Sequence, residues 1–408
     1  MKRLCLVLFV LGAPVVSTID LGTWRAASAL AQGADTSSKE AFDAAKELGT
    51  VEAWNAFLAN YPTGFYADLA RAYVAKLGGT VAPPPAVAAP APAAPRAPVA
   101  APAPVAAARE QSRKVELGSN ASLNGMRLLP DDSPWHRDIS RDRVDPNSRK
   151  ILTRIGLDKP LRADFGTEYE GAPMGIQYVV VAGNQKKVPI TFNEAGEESD
   201  PGPYPVPPNA PIEGGPKGTG DRHVLVLDRD NWVLYELFNA LPDGSGWKAG
   251  SGSIWDLKQN QVRPAGWTSA DAAGLPILPG LVRHDEAVGK NAIEHALRFT
   301  LAKTRRAYVP PASHWASKAH DDDLAPMGMR VRLKADFDIS GFAPEVQAIL
   351  RALKTYGMIL ADNGSDNFIS GAPDKRWNVD TLRQLMRVKT RDLEVVEMKD
   401  IVVDQRRR

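Results

Sequence analysis

The sequence predicts a mainly β protein: a β-sandwich or jelly-roll-like C-terminal domain with one or two helices, preceded by a small α-helical hairpin module. Three observations carry this. From about Gly118 onward, short runs rich in Val, Ile, Tyr and Trp alternate with Gly, Pro, Asn and Asp, the pattern of many short strands. They are "IQYVVVAG", "KVPITFN", "RHVLVLD", "NWVLYELFN", "SIWDL", "GLVRHDE", "ALRFTLAKT", "MRVRLKADFDI" and "GMILADNG". Helical periodicity in this part is scarce. It is clearest in "APEVQAILRALKTYG", where Val346, Ile349, Leu350 and Leu353 share one face and Gly357 ends the run; "DKRWNVDTLRQLMRV" is a second candidate, with Asp380 in its first turns. Third, residues 37–79 place Phe42, Ala45 and Leu48, then Trp54, Phe57 and Leu58, then Tyr66, Leu69, Tyr73 and Leu77 at helical spacing. Gly49-Thr50 and Pro62-Thr63-Gly64 break that stretch into two or three short helices.

A chain of 408 residues, 44% hydrophobic and 24% charged, is long enough for more than one domain and can build a sizeable core. The first 31 residues read as a signal peptide: Lys2 and Arg3 precede the apolar run "LCLVLFVLGAPVV", and "ASALAQG" offers a cleavage site near Ala31. A periplasmic or secreted protein is expected. If the signal is cleaved there is no transmembrane span; an uncleaved anchor is the alternative. Cys5, the one cysteine, lies inside the signal, so the mature chain has no thiol for a nucleophile, a disulfide or a thiolate metal site. Residues 80–114, "VAPPPAVAAPAPAAPRAPVAAPAPVAAAREQ" and its borders, are a Pro/Ala-rich linker that builds no core. It sets off a β-rich domain over 115–400 and a basic tail, 401–408, ending in "DQRRR". Fifty Lys and Arg against 48 Asp and Glu give no overall electrostatic case for a nucleic-acid partner.

Residues 37–79 resemble a tetratricopeptide-like helical hairpin. One hairpin is below the repeat number a solenoid needs, so a module for a protein partner and a helical spacer are both open. In the C-terminal domain, "PDDSPWHRDIS", "ESDPGPYPVP", "APIEGG", "GDRHVLVLD", "WTSADAAGLPILPGLVRHDE", "IEHALRFT" and "RALKTYGMILADNGS" resemble a family of secreted bacterial proteins without assigned catalytic residues. That resemblance implies an exported, sandwich-like domain.

The C-terminal domain holds all six histidines and seven of the nine tryptophans. The stretch "GDRHVLVLDRDNWVLYELFNA" reads as an apolar hairpin that nevertheless carries His223 and Glu236. A loop at Arg229-Asp230 sets them directly opposite, one at Asp230-Asn231 makes them diagonal neighbours on one face, and a three-residue loop parts them. Alternation puts Glu236 with Trp232, and burial beside an aromatic ring raises a carboxyl as a general acid requires. A buried structural pair is the competing reading. Asp256 beside Trp255 and Asp271 after Trp267 combine an acid with a ring, as sugar-cleaving sites do. "LVRHDEA" offers Arg283, His284, Asp285 and Glu286; as a strand it would aim Arg283 and Asp285 one way, His284 and Glu286 the other. His295 reads as a helix-end or strand-start residue. No metal and no cofactor is expected: "SHWASKAHDDDLAP" matches no ligand spacing and reads as an exposed acidic loop.

Two functions remain. One is an exported carbohydrate-active enzyme, a polysaccharide hydrolase or lyase, with Glu236 as acid/base, Asp256 or Asp271 as second carboxylate, and His223 or Arg283 tuning or binding. The other is a non-catalytic module that binds a polysaccharide or cell-envelope glycan on Trp232, Trp255 and Trp267, with Arg283, His284 and Asp285 as polar contacts.

Overall fold

The computed structural model describes residues 38–61, 65–80 and 115–403. The signal segment, nearly all of the Pro/Ala linker and the last five residues of the tail lie outside these. The chain divides into two compact units, Met1–Val99 and Ala100–Arg408.

Among the described residues of the first unit the helices are α1 (Ser38–Leu48), α2 (Val51–Asn60) and α3 (Phe65–Lys76). Gly49, in the left-handed region at φ 63°, ends α1, and the Thr50 hydroxyl caps α2 by accepting the Ala53 N–H at 3.2 Å. Phe42, Trp54 and Phe57 are buried between them, and Trp54 stacks on Tyr73 with centroids 4.7 Å apart.

The second unit is rich in β-strands arranged in several sheets, with a few helices. Its strands used below are β1 (Gly118–Ser119), β2 (Arg162–Asp164), β3 (Tyr178–Val181), β4 (Val224–Asp228), β5 (Val233–Phe238), β6 (Ser251–Asp256), β7 (Leu297–Leu301), β8 (Arg330–Leu333), β9 (Met358–Asn363), β10 (Phe368–Ser370) and β11 (Leu393–Val395). The two largest sheets have the orders β1-β3-β4-β5-β6 and β11-β8-β9-β7-β10-β2. Both are mixed. β3 runs parallel to β4, β9 to β7 and β10 to β2, whereas a jelly roll is antiparallel throughout.

The first sheet is buried on both faces, which explains its continuous apolar runs. Tyr178, Val180, Leu225, Leu227 and Leu234 enter one core, and Val179, Val181, Val224, Val226 and Leu237 the other. The second sheet packs on α4 (Ser148–Ile155) at β11 and on α5 (Pro344–Thr355) at β8. Pro344 starts α5 with a ring that needs no N–H. Its four periodic residues, Val346, Ile349, Leu350 and Leu353, are fully buried in the largest core, each worth about 1.5–3 kcal/mol over exposure.

The expected "GLVRHDE" strand does not form. Val282 makes one isolated bridge to Gly371, and Asp285–Lys290 is a wide π-helical turn. A turn lets Arg283 reach Asp285 at 3.6 Å and Glu286 at 2.5 Å, which strand alternation would have sent to opposite faces. α4 and the strands β2, β10 and β11 went unpredicted because each is too short to show a period.

A chain beginning at residue 115 is expected to melt in one cooperative transition by calorimetry. Separate transitions within that fragment would mean that the boundary is wrongly drawn.

Candidate functional site

β4 and β5 pair with Leu225 opposite Glu236, the diagonal register among the three sequence alternatives. His223 therefore lies across from Phe238, with ring centroids 5.8 Å apart. The pair shares a face but not a cleft. Glu236 has no exposed surface. Its Oε1 accepts the backbone N–H groups of Ile277 at 2.9 Å and Leu278 at 3.0 Å, and its Oε2 the Trp255 indole at 3.1 Å. Burial pushes its carboxyl up to about 7, with the Leu278 and Ile277 N–H groups pulling the other way. Glu236 thus fastens the Ile277-Leu278 turn to β5 and cannot meet a substrate, contrary to its expected role as the cleft acid.

His223 is equally buried, but its partners lead to a different place. Nδ1 lies 2.5 Å from Glu213 Oε2 and Nε2 lies 3.1 Å from the Ala270 carbonyl. Burial alone would depress the imidazolium; the Glu213 charge outweighs it and holds the group up at about 9. A charged ring donates from both nitrogens, which suits two oxygen partners. Burial likewise opposes ionisation of Glu213, and His223 overcomes it, so that carboxylate is held below its usual range.

One residue beyond Ala270, Asp271 has no exposure and meets Arg298 of β7 in a bidentate pair, Nε to Oδ2 at 2.9 Å and Nη2 to Oδ1 at 2.8 Å. The remaining guanidinium contacts are Nη1 to Ser370 Oγ at 2.6 Å and Nη2 to Asp362 Oδ2 at 3.2 Å. Register explains the convergence. Ser370 pairs with Asp164 across β10 and β2, and Thr300 of β7 pairs with Asp362 because a bulge shifts the β7–β9 ladder after Phe299. Without that extra residue Asp362 would pair with Leu301 and face away from Arg298. The bulge re-aims it. Burial first, then the charge of Asp271, pushes the Asp362 carboxyl up to about 7 against the pull of Arg298 and His223. Desolvation, then the Glu213 charge, raises Asp164 as well.

Around Arg298, then, one carboxyl is held ionised and another is held protonated up to neutral pH. Both reach solvent: the Glu213 side chain is 24% exposed and that of Asp362 18%. Beside Asp362-Asn363 runs the segment Ser313–Ala316. The Ser313 and His314 N–H groups donate to the Ala273 carbonyl at 2.9 and 3.2 Å, and Asn363 Nδ2 donates to the Ala316 carbonyl at 3.0 Å. These bonds bring Trp315, half-buried, next to Asp362-Asn363. It stacks on Tyr308 (5.8 Å, 19°) and on His314 (5.9 Å, 17°).

The chain matches no protein-family model, no curated protein and no solved structure.

Of the residues expected from sequence, His223 and Asp271 belong to the cluster as buried supports. The rest do not. Asp256 is bound in a surface turn with Lys258 at 3.0 Å, its side chain 31% exposed. Trp255 is buried against Glu236, Trp232 donates its indole N–H to the Leu128 carbonyl at 3.0 Å, and Trp267 has the Arg263 guanidinium 5.5 Å from its centroid. They form no coplanar open platform. Arg283 pairs with Glu286 and lies near Asp285, its buried Nε and Nη1 without a hydrogen-bond partner among the described residues; Asp285 accepts the N–H groups of Leu123 and Gly125, and His284 packs edge-on against Trp377. This node shares no ion pair with Arg298. Glu286 extends it to His295, which does stand just before a strand. Among the described residues no three His, Cys, Asp or Glu converge as a metal site. Asp164, Glu213, Arg298, Asp362 and Ser370 were not singled out from sequence. A signal existed for two of them: Arg298 interrupts the buried run "ALRFTL", and Asp362 ends the buried run "MILA".

Proposed function

We propose that the C-terminal unit is an exported carbohydrate-active hydrolase, a sandwich-like periplasmic or secreted body that cleaves a polysaccharide or cell-envelope glycan with Asp362 as general acid and Glu213 as base. The supporting observation is the split between these two carboxyls around one guanidinium, since acid and base roles follow from environments that push paired groups apart. Asp362 would hand its proton to the leaving glycosidic oxygen while Glu213 takes one from water. Arg298 and the His223 imidazolium position the pair. A lyase needs a free cation for a uronate, and Arg298 is committed to Asp271, Ser370 and Asp362, which favours hydrolysis. A second reading, a non-catalytic glycan-binding module, draws support from the Trp315–Tyr308 stack. The helical unit is proposed to dock a protein partner.

The test is a reducing-end assay on bacterial and plant polysaccharides with wild type, Asp362→Asn and Glu213→Gln. Loss of general acid catalysis is expected to lower kcat by roughly a hundredfold or more, with Asp362→Asn melting within about 1 kcal/mol of wild type. The wild-type rate should fall as pH rises through about 7, where Asp362 gives up its proton. Glycan binding without cleavage would select the second reading, and a folded protein that does neither would remove both.

A further inference from the structure

We infer that the groove between the Arg137–Arg143 segment, the start of β8 and residues 396–400 is a binding site for a phosphate-type oxyanion, separate from the carboxylate cluster. The groove has a volume of about 470 Å³, enough for a phosphorylated small molecule. Five cations line it, Arg137, Arg141, Arg143, Arg330 and Lys399. Three carboxylates, Asp142, Glu397 and Asp400, oppose them and leave it two charges positive. Two of those carboxylates are already engaged, Asp142 by Arg137 at 2.7 Å and Glu397 by Arg143 at 3.5 Å.

Arg330 is the decisive residue. Its guanidinium is fixed by three carbonyls: Nε donates to Tyr356 at 2.8 Å, Nη1 to Pro134 at 2.8 Å and Nη2 to Arg137 at 3.4 Å. No carboxylate pairs with it among the described residues. A guanidinium has five N–H groups in a fixed fork, so one on each terminal nitrogen remains for an outside acceptor. Two terminal N–H groups in one plane are the arrangement that meets two oxygens of a phosphate. The charge is also under-compensated: burial, then Arg137, brings the group down to about 9 against the weaker pull of Asp142, which is itself bound to Arg137. Arg137, a cation, is the strongest charged neighbour where a counter-charge would be expected. An oxyanion supplies that charge and spends the two free donors. The neighbouring Pro310, Pro311 and Met398 give an apolar wall for whatever carries it.

The experiment uses the full chain at constant ionic strength, titrated by calorimetry with inorganic phosphate, with glycerol 3-phosphate and with chloride as control. Saturable binding of either phosphate, absent with chloride, is expected; tighter binding of the ester identifies a carried phosphoryl group, and equal binding the free ion. Arg330→Met should abolish it. Because Arg330 also holds three carbonyls, the exposed pair Arg141→Gln/Arg143→Gln is the second variant, expected to melt like wild type yet bind at least fivefold more weakly. No saturable binding by folded wild type, or binding unchanged in the double variant, overturns the site. The readout is independent of glycan cleavage, so its failure leaves the carboxylate pair untouched and the converse holds too.

Discussion

Arg298→Met is expected to be the most damaging single substitution in the C-terminal unit. It leaves Asp271 fully buried without its bidentate partner, and stranding one member of a buried ion pair costs about 3–5 kcal/mol. It also strips Ser370 and Asp362 of a donor. For a unit of this size the melting temperature should fall by roughly 10 °C. Restoring neutrality should recover part of the loss: in Arg298→Met/Asp271→Asn the stranded charge is gone. Calorimetry of the single and double variants decides the matter. A single variant that melts within a degree of wild type would mean that the pair is exposed to water.

Glu236→Gln is expected to cost on the order of 3 kcal/mol, although it is nearly isosteric. The carboxylate accepts from Ile277, Leu278 and the Trp255 indole. An amide keeps one acceptor and turns an NH2 group toward donors, leaving buried N–H groups unmet. The pH dependence adds a sign. Glu236 is raised to about 7 from its ordinary 4.5, so the folded state holds this proton more tightly than the unfolded one. Its contribution is full below about pH 4.5 and is lost as pH rises through about 7. The gap between wild type and Glu236→Gln should therefore be widest in acid and narrow toward pH 8. A gap independent of pH would show that Glu236 binds its proton equally well in the folded and unfolded protein.

The strands of the first sheet were legible because both faces are buried: unbroken apolar runs such as "VLVLD" need no partner to be read. The face shared by His223 and Glu236 was also legible, since period two and a short loop leave few registers. Their destination was not. Glu236 ends against a turn forty residues away in sequence, and His223 against Glu213, and such long-range pairing leaves no local trace. The "VRHDE" run misled for a physical reason: charges that alternate along a putative strand also fit a turn in which Arg283 gathers its neighbours. Asp362 was hidden more deeply, because its orientation depends on one bulge in a parallel ladder.

The stretch from Ser269 to Leu278 has no regular structure, yet nearly every position is clamped. Ser251 Oγ donates to the Ser269 carbonyl, His223 holds Ala270, Arg298 holds Asp271, Ala273 donates to Ala361, and Glu236 holds Ile277 and Leu278. Gly274, at φ 70°, sits so close to the Ser313 hydroxyl that a Cβ has no room. Loops ordinarily absorb inserted or deleted residues because their backbone answers only to water. This one answers to four strands and to His223 at once, so a change of even one residue in its length would pull several clamps out of step together. It behaves as a keystone written in loop form and buried in the unit, and the freedom to vary that surface connections enjoy is closed to it.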